Sequence, residues 1–268
     1  MMGAARKRRV RMILIDKLCY QSKLRYVNAS EKFVYAMLTL ALCIVSRSPV
    51  VAAAAFAVNG LLTVGAGKIP LSRYLRLLLI PAAFLLLGTG ALVLNLSGEP
   101  MDAFAVSVGN WYITGSREAL GQAARLCATA FAAVSCLYFL ALNTTMTDIM
   151  GVLAKLHLPS FFIELMLLIY RFIFVLLETA SSILTAQESR LGNRDLRTSV
   201  RSFGGMASAL FLLALKRSNA LYDAMESRCY DGRIRVLSRE YPPKKKEIVL
   251  IAGFETVLLF ITIWGIIK

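Results

Sequence analysis

Long apolar runs separated by short charged segments dominate the pattern of the chain. A helix needs about 20 apolar residues to cross a hydrocarbon core of about 30 Å, and most of these runs approach that length. Residues 33–45 and 50–66 are separated by a short polar segment containing Arg47 and Pro49, which predicts a helical hairpin. Pro81 predicts a kink in the third run. The predicted membrane spans are residues 33–45, 50–66, 77–96, 120–142 and 248–267.

The distribution of charge along the loops predicts the orientation of these spans. Lys and Arg are dense over residues 6–32 and recur at Lys68, Arg73 and Arg76, whereas residues 97–116 contain acidic side chains without Lys or Arg. Cytoplasmic loops carry the excess of basic residues in membrane proteins. We therefore expect a cytoplasmic N-terminus, an outer segment at residues 97–116 and an outer C-terminus.

Residues 143–247 have a different pattern, because charged positions recur within it at helical spacing. Thr145 and Asp148 are typical of a capping box opening a short amphipathic helix that ends before Pro159. A long helix over residues 160–191 and another over 203–228 follow, joined by a linker with basic residues up to Arg201. The long helix has one narrow polar stripe, formed by Glu164, Arg171, Glu178, Thr185 and Glu188.

These patterns together predict an all-α integral membrane protein. It has about five transmembrane helices and a cytoplasmic module of long amphipathic helices. The predicted organisation is a basic cytoplasmic N-terminus at residues 1–31, four spans over 32–142, the helical module over 143–247 and a last span over 248–268.

Composition supports a bilayer environment and argues against a nucleic-acid partner. Of 268 residues, 57% are hydrophobic and 18% are charged, and the mean hydropathy is +0.63. The 31 Lys and Arg against 16 Asp and Glu leave a net charge of +15. Nucleic-acid binding would need a soluble basic face, but these charges flank apolar spans. We expect lipid contact and no nucleic acid.

Sequence signals for catalysis, cofactors or metals are weak. The segment Gly65-Ala66-Gly67-Lys68 resembles part of a phosphate loop, but Leu62 replaces the first glycine and Ile69 the magnesium-binding Ser or Thr. His157 is the only histidine, and a metal site needs several converging ligands. The five cysteines contain no CxxC pair and are expected to be packing residues. We expect no enzyme activity, no metal site and no cofactor.

Two similar motifs end the two long helices of the module. Each places an Arg in the last turn near a downstream Gly. An Arg at a helix C-terminus is favoured by the helix dipole by about 0.3–1 kcal/mol, which is an ordinary structural role. Alternatively, two such ends could present guanidinium groups to an acidic or carbonyl-rich groove on a partner. The residues alone leave both interpretations open. The motifs are Ser189-Arg190-Leu191-Gly192 and Ser227-Arg228-Cys229-Tyr230-Asp231-Gly232.

An ordered set of segments resembles the transmembrane T component of energy-coupling-factor (ECF) transporters, and most closely the cobalt/nickel, CbiQ-like type. The resemblance covers most of the chain. The matching segments are Ile15-Asp16-Lys17, Leu24-Arg25-Tyr26-Val27-Asn28, Thr144-Thr145-Met146-Thr147-Asp148, Tyr170-Arg171-Phe172-Ile173, Thr185-Ala186-Gln187-Glu188-Ser189-Arg190 and Ala224-Met225-Glu226-Ser227-Arg228-Cys229-Tyr230-Asp231-Gly232.

The resemblance implies a function for the two arginine motifs. T components carry two Ala-Arg-Gly-like motifs that dock into grooves on two ATP-binding subunits and transmit their closure to a substrate-binding S component. The matching positions are Ser189-Arg190-Leu191 and Ser227-Arg228-Cys229, flanked by Asp231 and Gly232. Ser replaces Ala twice, and Leu191 and Cys229 stand where Gly is usual. Because Gly192 and Gly232 lie downstream, we expect docking with slightly longer helices.

The resemblance also implies a multi-pass protein of the bacterial cytoplasmic (inner) membrane, serving cobalt or nickel uptake with the metal bound elsewhere. Three alternatives remain. One is a T component for a vitamin transporter. Another is an intramembrane lipid-modifying enzyme, which would need a dense polar motif. The third is a membrane scaffold without a transport role. The aspartates considered for the enzyme do not form such a motif: Asp16, Asp148, Asp195, Asp223 and Asp231.

Overall fold

The computed structural model describes residues 18–46, 48–93, 95–97, 104–108, 111–115, 117–232 and 241–267. The predicted all-α membrane fold is confirmed, with one small sheet in addition. The helices are α1 (Ala29–Ser46), α2 (Pro49–Leu61), α3 (Leu71–Val93), α4 (Arg117–Asn143), α5 (Met146–Lys155), α6 (Ser160–Ser189), α7 (Leu196–Glu226) and α8 (Lys245–Ile267). A π-helical turn, Leu62–Ala66, extends α2. The basic N-terminal residues up to Lys17, together with Arg47, Glu99 and Asp102, lie outside the described residues.

Seven helices within the described residues are long and apolar enough to cross a membrane. Five of them, α1, α2 with its π turn, α3, α4 and α8, correspond to the predicted spans. The other two are α6 and α7 of the predicted helical module. The chain is therefore a multi-pass membrane protein, and the cytoplasmic placement of α6 and α7 stays a prediction.

Several helix boundaries differ from those predicted. The third span begins at Leu71, so Arg73 and Arg76 lie in its first turns, where long basic side chains can extend toward headgroups. Pro81 lies inside this helix without ending it. The predicted linker reaching Arg201 is wrong, because α7 already begins at Leu196. Arginine is a good helix former, so a run of basic residues does not by itself interrupt a helix.

A small antiparallel sheet lies between α3 and α4, in the segment predicted to be outside. Its strands are β1 (Asn95–Ser97), β2 (Phe104–Val108) and β3 (Trp111–Gly115), in the spatial order β1-β3-β2. Ile113 of β3 pairs with Leu96 on one side and Val106 on the other. The apolar pattern of this segment predicts no secondary structure.

The described chain divides into two compact units, and the larger contains residues 18–149 and 241–267. Within it α4 packs against α1, α2 and α3, and α8 packs against α1 and α2. The contact between these helices is rich in small side chains, which allow close backbone approach. Cys43 and Cys136 are buried there, in agreement with a packing role. The buried cluster at the centre is Cys43, Val51, Ala52, Ala55, Ala132 and Leu258.

A polar junction holds the end of α4 at the point where the chain turns into α5. Lys32 is only 3% exposed, and its Nζ donates to the carbonyl oxygens of Leu24 (3.0 Å) and Asn143 (2.8 Å). Ser22 Oγ donates to Asn143 Oδ1 at 2.6 Å. Gly67 lies against the same junction, and its carbonyl accepts from the N–H of Lys23 at 3.3 Å. Gly67 therefore belongs to a packing contact between chain segments.

The described part of the smaller unit is residues 150–232, which contain the end of α5, all of α6 and all of α7. Helices α6 and α7 pack against each other. They have 30 and 31 residues and carry the two arginine motifs at their C-terminal ends.

Candidate functional site

Side-chain hydrogen bonds at both ends show that α6 and α7 form an antiparallel hairpin. Where α6 ends and α7 begins, Gln187 Nε2 donates to the carbonyl oxygen of Ser202, and Ser202 Oγ donates to that of Gly192, both at 2.8 Å. At the opposite end, the hydroxyl of Tyr230 donates to Glu164 Oε2 at 2.5 Å. The C-terminal end of α7 therefore lies beside the beginning of α6.

This antiparallel arrangement separates the two arginine motifs. Tyr230, two residues after Arg228, contacts Glu164, and Arg190 lies 26 residues further along α6. At 1.5 Å per residue this corresponds to about 40 Å along the helix axis. The two motifs are thus at opposite ends of one rod.

The end of α6 is a Schellman turn whose left-handed residue is Leu191. The N–H of Gly192 donates to the carbonyl of Gln187 at 2.8 Å, and the N–H of Leu191 donates to that of Glu188 at 3.2 Å. This pair of bonds defines the motif. Leu191 has φ of 56°, a conformation that costs a residue with a Cβ atom about 1–2 kcal/mol.

The end of α7 repeats the same turn. The N–H of Tyr230 donates to the carbonyl of Met225 at 3.1 Å, and the N–H of Cys229 donates to that of Glu226 at 2.9 Å. Cys229 has φ of 57°. The usual glycine position of each motif is thus left-handed although neither residue is glycine. The expected extension of the helices toward the downstream glycines does not occur.

Arg190 and Arg228 occupy the same place in the two turns, immediately before the left-handed residue. Both arginines are exposed, and neither guanidinium makes an ion pair or hydrogen bond within the part of the chain that the structure describes. The preceding serines are accommodated locally: Ser189 Oγ donates to the carbonyl of Thr185 at 2.9 Å, and Ser227 Oγ to that of Ala224 at 3.1 Å. Serine therefore replaces alanine without leaving an unsatisfied hydroxyl.

The Schellman turn alone does not distinguish these two ends, because α5 ends in the same way. There the N–H of Leu158 donates to Leu153 at 3.3 Å and that of His157 to Ala154 at 3.2 Å, with His157 at φ of 61°. The preceding residue is Leu156, so this turn lacks the arginine. The single histidine thus has a structural position as a helix-ending residue. Within the described residues no group of three or more His, Cys, Asp or Glu could hold a metal ion.

Residues after the second arginine fix that end of the hairpin. The hydrogen bond to Glu164, reinforced by burial and by the nearby Asp231, raises the pKa of the Tyr230 phenol. The phenol therefore stays protonated and remains a donor at neutral pH. Gly232 has φ of 81°, which favours glycine at that position. The sequence pattern predicts no role for Tyr230, although Glu164 belongs to the predicted polar stripe of α6.

Comparison with known proteins agrees with the resemblance found in the sequence. The family model described as CbiQ, cobalt transport protein, matches residues 21–238. An uncharacterized protein of Methanocaldococcus jannaschii is 31% identical over 92% of both chains. The cobalt transport protein CbiQ of Salmonella typhimurium is 30% identical over 81% of this chain and 97% of its own length.

A further relative connects the chain to energy-coupling-factor transporters by name. The energy-coupling factor transporter transmembrane protein EcfT of Thermanaerovibrio acidaminovorans is 34% identical over 46% of this chain and 50% of its own length. The named relatives are transport components. Because the family match covers most of the chain, including both arginine-bearing helix ends, the chain belongs to the CbiQ cobalt transport protein family and is a transmembrane component of an ECF-type transporter.

Proposed function

We propose that this chain is the coupling subunit of an ECF-type importer. It binds two ATP-binding subunits at the ends of α6 and α7 and transmits their closure to a substrate-binding S component. The observation that carries the proposal is the geometric equivalence of Arg190 and Arg228 at opposite ends of one hairpin. Because the two ends are equivalent, we expect each to bind one of two equivalent ATP-binding subunits.

The chemistry of each end is suited to a groove lined by carboxylates or carbonyl oxygens. A guanidinium presents five N–H donors in a planar fork and is weakly hydrated, so it can be buried against such acceptors at modest cost. The turn around Leu191 or Cys229 fixes the backbone beside the arginine. A fixed backbone lowers the entropy lost when the side chain is ordered on binding.

The separation of about 40 Å between the ends is too great for a single groove. When ATP closes two subunits onto each other, their grooves approach and both ends of the hairpin move with them. The hydrogen bonds of Gln187, Ser202 and Tyr230 tie each end of one helix to the other helix. The hairpin can therefore move as a lever, whose displacement reorients the S component against the spans.

In this proposal the membrane is the bacterial cytoplasmic membrane, with the N-terminus and residues 143–247 on the cytoplasmic side. The cargo is cobalt, as the names of the CbiQ relatives indicate, and the S component binds it. ATP hydrolysis belongs to the partner subunits, so this chain needs no cofactor and no catalytic site of its own.

The two equivalent turns allow a matched test based on thiol labelling. Cys229 is exposed, whereas Cys19, Cys43 and Cys136 are buried. A maleimide on Cys229 therefore reports on the second end. The variant Leu191→Cys with Cys229→Ser moves the thiol to the equivalent position of the first end. Replacing Cys127, which is intermediate in exposure, by Ser lowers the background.

We expect bound ATP-binding subunits to protect the thiol at both ends. Arg228→Glu should abolish protection at Cys229, and Arg190→Glu should abolish it at the first end, each weakening binding at least about tenfold. The control is Arg217→Glu, which reverses the charge at an exposed position within α7. It should leave thiol protection at both ends unchanged. Co-purification then completes the test: the double variant should lose the ATP-binding subunits.

Three results would contradict the proposal: wild-type protein that purifies without ATP-binding subunits, thiols equally reactive with and without them, or subunits retained by the double variant. If the complex forms, the small membrane protein that accompanies it distinguishes cobalt from a vitamin as cargo.

A further inference from the structure

A carboxyl group lies inside the membrane bundle, on the last span. Glu255 is near the middle of α8 and is only 8% exposed, and Oε2 is buried without a hydrogen-bond partner. Leu258 and Thr262 are buried on the same face of the helix. Ionisable residues within a span are costly to place there, so each one calls for an explanation of its charge and its partner.

Its partner is Thr39 of α1, and counting protons at this contact decides which group is the donor. Thr39 Oγ1 lies 2.8 Å from the carbonyl oxygen of Tyr35 and 2.6 Å from Glu255 Oε1. A hydroxyl has one proton, so it can make one full hydrogen bond as a donor or divide that proton between two weaker bonds. The carbonyl of Tyr35 can only accept. Both contacts are hydrogen bonds when Thr39 donates to Tyr35 and Glu255 donates to Thr39.

That arrangement requires a proton on Glu255. A charged carboxylate at this position would share one hydroxyl proton with a carbonyl and would leave Oε2 bare. A buried charge without a counter-ion costs far more than a buried neutral acid. No ion pair to Glu255 exists within the described residues.

Within the described part of the chain, the side chains around Glu255 provide no positive charge. The titratable groups facing it are Tyr35 and Cys43 of α1 and Cys136 of α4. Each of these groups is neutral in its protonated form. The apolar residue Phe254 packs in the same region. The surroundings therefore favour the uncharged acid.

We propose that Glu255 is a proton-bearing carboxylic acid that positions α8 against α1 by donating a hydrogen bond to Thr39. The bond joins a network that crosses the bundle. The Tyr35 hydroxyl donates to Asn59 Oδ1 at 2.9 Å, and Asn59 Nδ2 donates to Cys136 Sγ at 3.1 Å. The network links α8, α1, α2 and α4, and it contains no charged group when Glu255 carries its proton. This inference does not depend on the proposed docking of ATP-binding subunits.

The test is infrared spectroscopy of the full chain in lipid at neutral pH, because a protonated acid has a C=O stretching band apart from the carboxylate bands. We expect Glu255→Gln to remove one such band while keeping the thermal stability of the wild type, since the amide can also donate to Thr39. Thr39→Val should leave the band present but shifted, because the acid then loses its hydrogen-bond acceptor.

In Thr39→Val the measured quantity is the position of the C=O stretching band, which would not change if Glu255 made no hydrogen bond to Thr39. A wild-type spectrum without a protonated-acid band at neutral pH would overturn the proposal. So would a Glu255→Gln spectrum that retains every such band. A band that is unaffected by Thr39→Val would refute the assignment of Thr39 as the acceptor. The loss in Glu255→Gln and the shift in Thr39→Val together would support it.

Discussion

Replacing Gly67 with alanine should destabilise the protein, although the backbone at this position suits any residue. Gly67 has φ of −72° and ψ of −17°, which is ordinary right-handed helical geometry. An added Cβ would lie 2.5 Å from the carbonyl oxygen of Thr63, 2.6 Å from Asn143 Oδ1 and 3.2 Å from Ser22 Oγ. Carbon and oxygen atoms in contact are normally about 3.3–3.6 Å apart. Two of the three atoms must therefore move by roughly 0.7 Å or more.

The size of the effect follows from what those atoms already bind. Thr63 is fully buried in the π turn, so its carbonyl has little freedom to move, and overpacking of this kind costs about 1–3 kcal/mol. Moving Asn143 Oδ1 breaks its bond to Ser22, which costs about a further 1–3 kcal/mol at a buried site. The lower entropy of the unfolded alanine chain returns about 0.4–1 kcal/mol. With the middle of each range, the net destabilisation should be about 3 kcal/mol.

Gly65 provides the matched control. It lies in the same π turn, and an added Cβ would meet nothing within 4 Å. Gly65→Ala should leave stability unchanged or raise it by less than about 1 kcal/mol. The assay is the temperature at which purified protein in detergent loses its monodisperse peak. At about 2–4 °C per kcal/mol, Gly67→Ala should lower that temperature by about 6–12 °C relative to Gly65→Ala. Equal temperatures for the two variants would show that the atoms around Gly67 move to accommodate a methyl group without loss of stability. The packing argument would then be wrong.

Two further predictions concern the helix ends. Leu191→Gly and Cys229→Gly should each stabilise the helix end by about 1 kcal/mol, because glycine adopts the left-handed conformation without strain. Amide hydrogen exchange at that end should therefore slow, relative to the corresponding alanine variants as controls. Unchanged exchange would mean that the turn is not strained. Tyr230→Phe removes the hydrogen bond to Glu164. It should weaken, several-fold, the protection that ATP-binding subunits give the Cys229 thiol against maleimide, while the thiol of Leu191→Cys stays protected. Equal loss of protection at both ends would contradict a local positioning role for Tyr230.

Local sequence patterns predicted most of the fold because the bilayer sets the lengths of apolar runs. The five predicted spans correspond to helices, and Thr145 caps the start of α5 as expected, with its Oγ1 accepting from the N–H of Asp148 at 3.3 Å. The start of α7 was missed because arginines were interpreted as a linker, although they are compatible with a helix. The sheet between α3 and α4 was missed because its register depends on pairing between segments, which no periodicity within a single short strand specifies.

The polar interior could not be predicted from sequence alone. Lys32 belongs to a basic stretch that is typical of a cytoplasmic flank, yet it is buried and caps the last carbonyl of α4. Glu255 stands alone in an apolar run, and its partner Thr39 is 216 residues away. Such pairs are set by helix packing, so the sequence gives no spacing by which to find them. Lys32 and Glu255 are both polar residues in buried surroundings, and each has a specific hydrogen-bond partner there.

The two helix ends make the same turn without a glycine at its left-handed position. Glycine is the residue with the least strain at a left-handed position, yet Leu191 and Cys229 adopt that conformation within the same pair of backbone hydrogen bonds. Their side chains add about 1–2 kcal/mol of strain at each end, and the turn persists because the bonds to the preceding turn of helix outweigh it. The end of α5 makes the same turn without an arginine, so the turn alone cannot specify a partner. If the proposed docking is correct, recognition therefore depends on the arginine being held immediately before a left-handed residue. The identity of that residue then adjusts the stability of the end without changing its geometry.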